Sequence, residues 1–109
     1  SLSPKSGGYA PICVGDREHR TRVYHQGTAW PWLGCFYLEA CLKLYKRTRL
    51  SFVERQLIGY EDEVMNHCLG TIPEFFDGNP PYPGRGAISF AMNVGEVLRT
   101  LALLEKYKY

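Results

Sequence analysis

Glu74 is the first position at which the side-chain types of this chain could do chemistry. It lies in Ile72-Pro73-Glu74-Phe75-Phe76. A carboxylate flanked by Pro and Phe is partly desolvated, which favours its protonated form and suits proton transfer. The plainer reading is a surface-loop glutamate between two buried phenylalanines. A second place is Tyr24-His25-Gln26-Gly27-Thr28-Ala29-Trp30-Pro31-Trp32. Trp30 and Trp32 offer flat apolar faces, while Tyr24, His25 and Gln26 offer donors and acceptors on short or rigid stems. Sugars are held by such sets, their C–H faces stacked on rings and their hydroxyls bonded by amides and imidazoles. The plainer reading makes both tryptophans core and His25 a satisfied buried histidine. A third group, Asp77-Gly78 with Arg85-Gly86, sets one acid and one base on a Pro/Gly-rich loop. It reads first as an internal ion pair.

Metal and cofactor chemistry find no motif. The four cysteines, at 13, 35, 41 and 68, include no C-x-x-C spacing, so a zinc site is not expected. No phosphate-binding pattern is present, and the expected cofactor is none. Cys35, Cys41 and Cys68 fall in apolar helical stretches and read as reduced core thiols, which favours a reducing compartment.

The elements that must position these residues follow from pattern. Residues 1–23 are rich in Gly, Ser, Pro and charge and read as an extended loop, with a short strand near Tyr9–Val14. A first helix begins at Pro31, a favoured first helical position because its missing N–H has no helical partner anyway; Thr28 or Ala29 forms the cap region. Leu33, Tyr37, Ala40 and Leu44 recur at helical spacing, and the helix ends near Thr48. A second helix opens on a capping box, Ser51-x-x-Glu54. Val53, Leu57, Tyr60, Val64 and Cys68 form its apolar stripe, Glu61, Asp62, Glu63 and Asn66 its wet side, and Gly70 a left-handed stop. Residues 71–87 hold four prolines and three glycines, which excludes a helix. A third helix runs from about Ile88 to Tyr107, with a stripe of Val94, Leu98, Leu101 and Leu104 and Val97 beside it. Gly95 inside it points to a close helix contact. The fold class is all-α, with residues 24–109 as the helical part.

The 109 residues suit one domain, and 45% hydrophobic content is that of a globular chain rather than a disordered one. A net charge of +2 is mild. Its densest basic cluster, Lys43 to Arg49, sits where a helix ends, where cations suit the helix dipole, so nucleic acid is not an expected partner. No apolar run approaches the ~18 residues of a membrane span, so no membrane partner is expected, and no signal-peptide pattern is seen. The chain begins at Ser1 without an initiator Met and reads as processed or cut from something longer.

Taken together these residues resemble the C-terminal end of the catalytic domain of glycogen debranching enzymes, the bacterial amylo-α-1,6-glucosidase type. Tyr24 through Leu33 match the family's Tyr-His-Gln-Gly-Thr-Val-Trp-Pro-Trp-Leu apart from Ala29. Pro73 through Gly78, Arg85-Gly86 and Glu96-Val97-Leu98-Arg99 match its second motif, and Leu2-Ser3-Pro4 and Gly15-Asp16 the approach to the first. The likeness covers nearly the whole chain. It implies about three helices of an (α/α)6 toroid of the six-hairpin glycosidase type, in a cytoplasmic enzyme that cleaves α-1,6-linked glucose from glycogen-like α-glucan branch stubs with inversion. By resemblance Glu74 is the general base, and the general acid is an Asp far upstream, outside this chain. Tyr24, His25, Gln26, Trp30 and Trp32 are then the substrate-binding residues, sharing one concave surface with Glu74. One departure concerns the last helix: where the family has Ala-Gln-Ala-Trp-Ser, this chain has Ser89-Phe90-Ala91-Met92-Asn93, which leaves the sugar contacts of that helix open, with another α-glucoside as an alternative substrate. The alternative is a non-catalytic carbohydrate-binding or regulatory helical module; a weaker one is an interaction domain sharing only the fold. The implied partners are α-glucan and the rest of the catalytic domain. Without that domain the nearly all-round apolar first helix leaves exposed surface, and the chain is expected to self-associate.

Overall fold

A computed structural model of the chain describes residues 1–66 and 70–108. Four helices and one small strand pair follow in order: α1 (Arg17–Val23), α2 (Pro31–Tyr45), a 3-10 turn (Lys46–Arg49), α3 (Leu50–Asn66), β1 (Phe75–Phe76), β2 (Gly84–Arg85) and α4 (Ala91–Lys108). The class is all-α, as expected, with the strand pair set between α3 and α4.

The expected extended loop over residues 1–23 is corrected by α1. Asp16 caps it, accepting the His19 N–H at 2.8 Å. Glu18 lies in its first turn and Arg20 and Arg22 in its last, the order that a helix dipole favours. α1 buries no residue, so apolar spacing could not reveal it. Residues 9–14 form no strand; their backbone instead ties to later segments, Ala10 N–H to Gln26 O and Pro11 O to Gly78 N–H, each at 2.9 Å.

α2 starts at Pro31, as the sequence requires, but its cap is Trp30, which makes no side-chain cap hydrogen bond. Thr28 instead turns its hydroxyl to the Tyr24 carbonyl at 3.1 Å. The helix ends at Tyr45, where Lys46 takes a positive φ of 52°, and the 3-10 turn leads directly into α3. Ser51 therefore lies inside a continuous helical run, and the capping box expected at Ser51–Glu54 has no free helix end to serve. Gly70 has the expected left-handed φ of 98°. The expected thiol Cys68 lies outside the described residues, and the side chains of Glu63, Val64 and Asn66 are likewise outside the description.

The main core joins α2, α3 and α4 through Cys35, Leu38, Leu42, Val53, Leu57 and Val97, with Cys41, Ile72 and Leu104. Two expected stripes are corrected. On α2 the buried face is Pro31, Cys35, Leu38, Cys41 and Leu42, and the predicted Leu33, Tyr37, Ala40 and Leu44 are exposed. On α4, which starts at Ala91 rather than Ile88, the buried face is Asn93, Val97, Thr100 and Leu104, with Leu98 and Leu101 turned outward. Gly95 lies exposed with nothing near where a Cβ would stand, so it marks no helix contact. Among the described residues no helix is long and apolar enough to cross a membrane.

Candidate active site

A second, smaller cluster of Cys13, Trp30 and Phe75, flanked by Val23, Tyr24 and Trp32, forms the base on which the two sequence motifs meet. Their junction is made by backbone. Ala29 N–H donates to Phe76 O at 2.8 Å and Phe76 N–H to Ala29 O at 2.9 Å. On its other edge β1 pairs antiparallel with β2, Phe75 opposite Arg85 and Phe76 opposite Gly84. Gly78 completes the junction: a Cβ there would stand 2.1 Å from the Gly27 carbonyl oxygen, so this approach needs glycine at 78, while a Cβ on Gly27 would meet the Tyr9 ring at 2.6 Å. Asp77 is buried and takes a two-point ion pair from Arg85, Nε to Oδ1 at 2.7 Å and Nη2 to Oδ2 at 3.1 Å. The internal pairing expected for this acid and base is thus present, and it fixes the β1–β2 turn.

Glu74 stands one residue before β1, half-buried. Its N–H donates to Ala87 O at 2.9 Å. Its carboxylate is held from two sides: the Ala87 N–H donates to Oε1 at 3.1 Å, and the Tyr24 hydroxyl donates to Oε2. Gly86, with φ 78°, makes room for this arrangement, since a Cβ on it would lie 2.7 Å from Oε1. The carboxylate faces a hollow of about 600 Å³ lined by Cys13, Arg20, Tyr24, Arg85 and Ile88 among others. An ionised carboxylate has about four lone-pair sites; with two in use, two remain for a water or a sugar hydroxyl. Glu74 is the one acid among the described residues lining this hollow.

Tyr24 links that hollow to a second of about 230 Å³, lined by Tyr24, His25, Trp30, Trp32, Phe90 and Met92 among others. Its ring meets Trp30 edge-on at 4.8 Å, Phe75 at 5.7 Å and His25 at 4.8 Å, and His25 stacks on Trp30 at 5.6 Å. Burial, and then the hydrogen bond to Glu74, push the Tyr24 hydroxyl up to about 12, so at neutral pH it is the donor in that bond. Burial likewise pushes the Cys13 thiol up, against the opposing charge of Arg20, and keeps it a neutral part of the wall.

The structure therefore brings together Glu74, Tyr24, His25, Trp30 and Trp32, but around two adjoining hollows rather than one surface. Trp30 is buried and Trp32 half-buried, while His25 is exposed. Gln26 lines neither hollow: its amide oxygen faces Gly8. Phe90, just before α4, and Met92 in its first turn, the departures from the family pattern, line the second hollow with apolar atoms.

Sequence reasoning missed the roles of Asn93 and Gly86, and Arg20 altogether. Asn93 is completely buried. Its Nδ2 donates to Pro73 O at 2.8 Å and to Glu74 O at 2.6 Å, and its Oδ1 accepts the Trp32 N–H at 3.2 Å. A 4-3-4 spacing through Asn93, Val97, Thr100 and Leu104 could have exposed it, because a polar residue in a buried register must have partners inside the fold.

A family model described as amylo-alpha-1,6-glucosidase matches residues 1–99. No curated protein and no solved structure matches the chain.

Proposed function

Because the chain belongs to the amylo-alpha-1,6-glucosidase family, we propose that it supplies the general-base half of an inverting glycosidase site that removes α-1,6-linked glucose from branch stubs of glycogen-like α-glucans. The observation that carries this reading is the two-donor cradle of Glu74 at the mouth of a sugar-sized hollow. In an inverting site one carboxylic acid protonates the glycosidic oxygen while a second carboxylate takes a proton from water on the opposite face of the ring. Glu74, with its free lone pairs toward the hollow, is suited to the second role. The Ala87 N–H and the Tyr24 hydroxyl hold it against rotation, and the exposed His25 and half-buried Tyr24 and Trp32, backed by the buried Trp30, form an aromatic wall for a glucose face. Phe90 and Met92 make the adjoining hollow apolar, which favours the C–H face of the leaving sugar over its hydroxyls.

The acid partner comes from the remainder of the catalytic domain, since no second carboxylate among the described residues lines the hollow. That remainder also covers the exposed apolar side chains of α2. On this reading the 109 residues alone bind α-glucan without hydrolysing it.

The test is Glu74→Gln in the complete catalytic unit. General-base catalysis is worth on the order of 10²–10⁴ in rate, so kcat should fall by that range with KM nearly unchanged. The first sugar released by the unaltered unit should be the β-anomer, observed by proton NMR before mutarotation. Unchanged turnover in Glu74→Gln rejects the base role, and an α-anomer product rejects inversion.

A further inference from the structure

We propose that Asn93 is a positioning residue that holds the Glu74 backbone and the aromatic wall in one fixed relation; this rests on the reading of Glu74 as general base. The argument begins at the start of α2. The first amides of a helix have no intrahelical partner, and a short polar side chain at the cap normally takes one of them. Here the cap position is Trp30, whose indole cannot accept a hydrogen bond and whose ring is committed to Tyr24, His25 and Phe75. The acceptor is supplied from another helix, by Asn93 of α4, to the Trp32 N–H.

The same amide group spends its donors on the other motif. Nδ2 reaches the carbonyls of both Pro73 and Glu74, the residue before the carboxylate and the carboxylate-bearing residue itself. One completely buried side chain thus joins the first turn of α2, which carries the aromatic wall, to the backbone of Glu74. A side chain of this shape satisfies all three groups at once: an acceptor on one side and two N–H donors on the other. Asp offers an acceptor to Trp32 but faces two carbonyl oxygens with a third oxygen, and Ser reaches at most one partner set. Catalysis at Glu74 depends on holding its carboxylate relative to a sugar stacked on the wall, and a misplacement of about 1 Å can cost on the order of 10²-fold in rate.

The experiment compares Asn93→Asp, Glu74→Gln, their double variant and the core control Val97→Ala, each in the complete catalytic unit. Circular dichroism establishes the folded fraction, and kcat and KM are read below each variant's unfolding range. The expected result is a fall of tenfold or more in kcat for Asn93→Asp with KM changed less than threefold, no comparable fall for Val97→Ala at similar or greater loss of thermal stability, and no further fall when Asn93→Asp is added to Glu74→Gln. If Glu74→Gln abolishes turnover but Asn93→Asp keeps its kcat, the Asn93 proposal is overturned and the base reading stands. If Glu74→Gln itself keeps turnover, the base reading fails and takes the Asn93 proposal with it. Should Asn93→Asp not fold, Asn93→Ser is read by the same criteria.

Discussion

Tyr24 and Glu74, fifty positions apart in the chain, are joined by a hydrogen bond: the phenol donates to Oε2 of the carboxylate. The aromatic motif is therefore bonded to the acidic motif through side chains as well as through backbone. The hydroxyl also stands where the two hollows meet, which gives it two conceivable duties toward a bound sugar, direct contact or control of Glu74.

Tyr24→Phe separates those duties. The ring contacts to Trp30 and Phe75 survive, and only the hydroxyl is lost. A hydrogen bond to a charged group contributes about 1.5–3 kcal/mol, so if the hydroxyl acts through Glu74, kcat in the complete unit should fall on the order of tenfold with KM steady. A rise in KM at constant kcat would instead assign Tyr24 to direct sugar contact.

Two glycines should respond in opposite directions to the same substitution. Gly86→Ala forces a Cβ against Glu74 Oε1 at a φ of 78°, a conformation that costs an alanine roughly 1–2 kcal/mol before any clash. Stability and turnover should both fall. Gly95→Ala adds a methyl in open space within α4, where alanine is favoured over glycine by roughly 0.8–1.0 kcal/mol. Urea denaturation should show it stabilised, and a destabilised Gly95→Ala would reveal a neighbour at that face.

The tyrosines set the alkaline limit. Burial pushes Tyr60 up to about 12 from 10.0, with the nearby Cys35 adding to the shift; Tyr24 is pushed to about 12 as well. Each folded value lies above the unfolded one, so the folded chain holds these protons more tightly. Their contribution is complete below about pH 10 and is lost as pH rises through about 12. Urea midpoints should decline across that window, and Tyr60→Phe should decline less steeply. Equal slopes for the two proteins would rule out Tyr60 as a source.

Exposed apolar residues on α2 make association the expected behaviour of the isolated chain. Leu44 is 74% and Tyr37 60% exposed, and Leu33 and Phe36 are also uncovered. Burying one such side chain contributes about 1.5–3 kcal/mol. Light scattering of the 109-residue chain should report a mass above the monomer, reduced by Leu44→Lys with Tyr37→Ser. A monomer at high concentration would mean this face needs no cover.

Legibility in the sequence followed the strength of each physical signal. Pro31 marked the start of α2 because its φ and missing N–H admit few other places. Prolines and glycines excluded a helix over 71–87 but could not reveal β1 and β2, which are only two residues each. On α2 both faces are apolar, so periodicity offered two registers and the exposed one was as good as the buried one. On α4 the all-apolar register through Leu98 and Leu101 outcompeted the true one, which carries Asn93 and Thr100. Those two are tolerated inside because their partners are inside: Thr100 donates to Glu96 O at 2.8 Å, and Asn93 bridges Trp32, Pro73 and Glu74. The site motifs were legible as residues; the cradle on Glu74 was not, since Ala87 contributes only its N–H.

The Ala29–Phe76 pairing bears on which substitutions the chain can accumulate. Each residue reads the other solely through N–H and C=O, and the side chain of Ala29 points into solvent-exposed space. Identity at position 29 is therefore nearly silent, which accounts for alanine standing where the family pattern has valine without disturbing the join. The constraint is on the peptide unit: proline at 29 or 76 deletes a donor and unpicks the motifs, while most other replacements at 29 pass unnoticed. Drift at this position is thus uninformative about loss of function, and a proline there would be decisive.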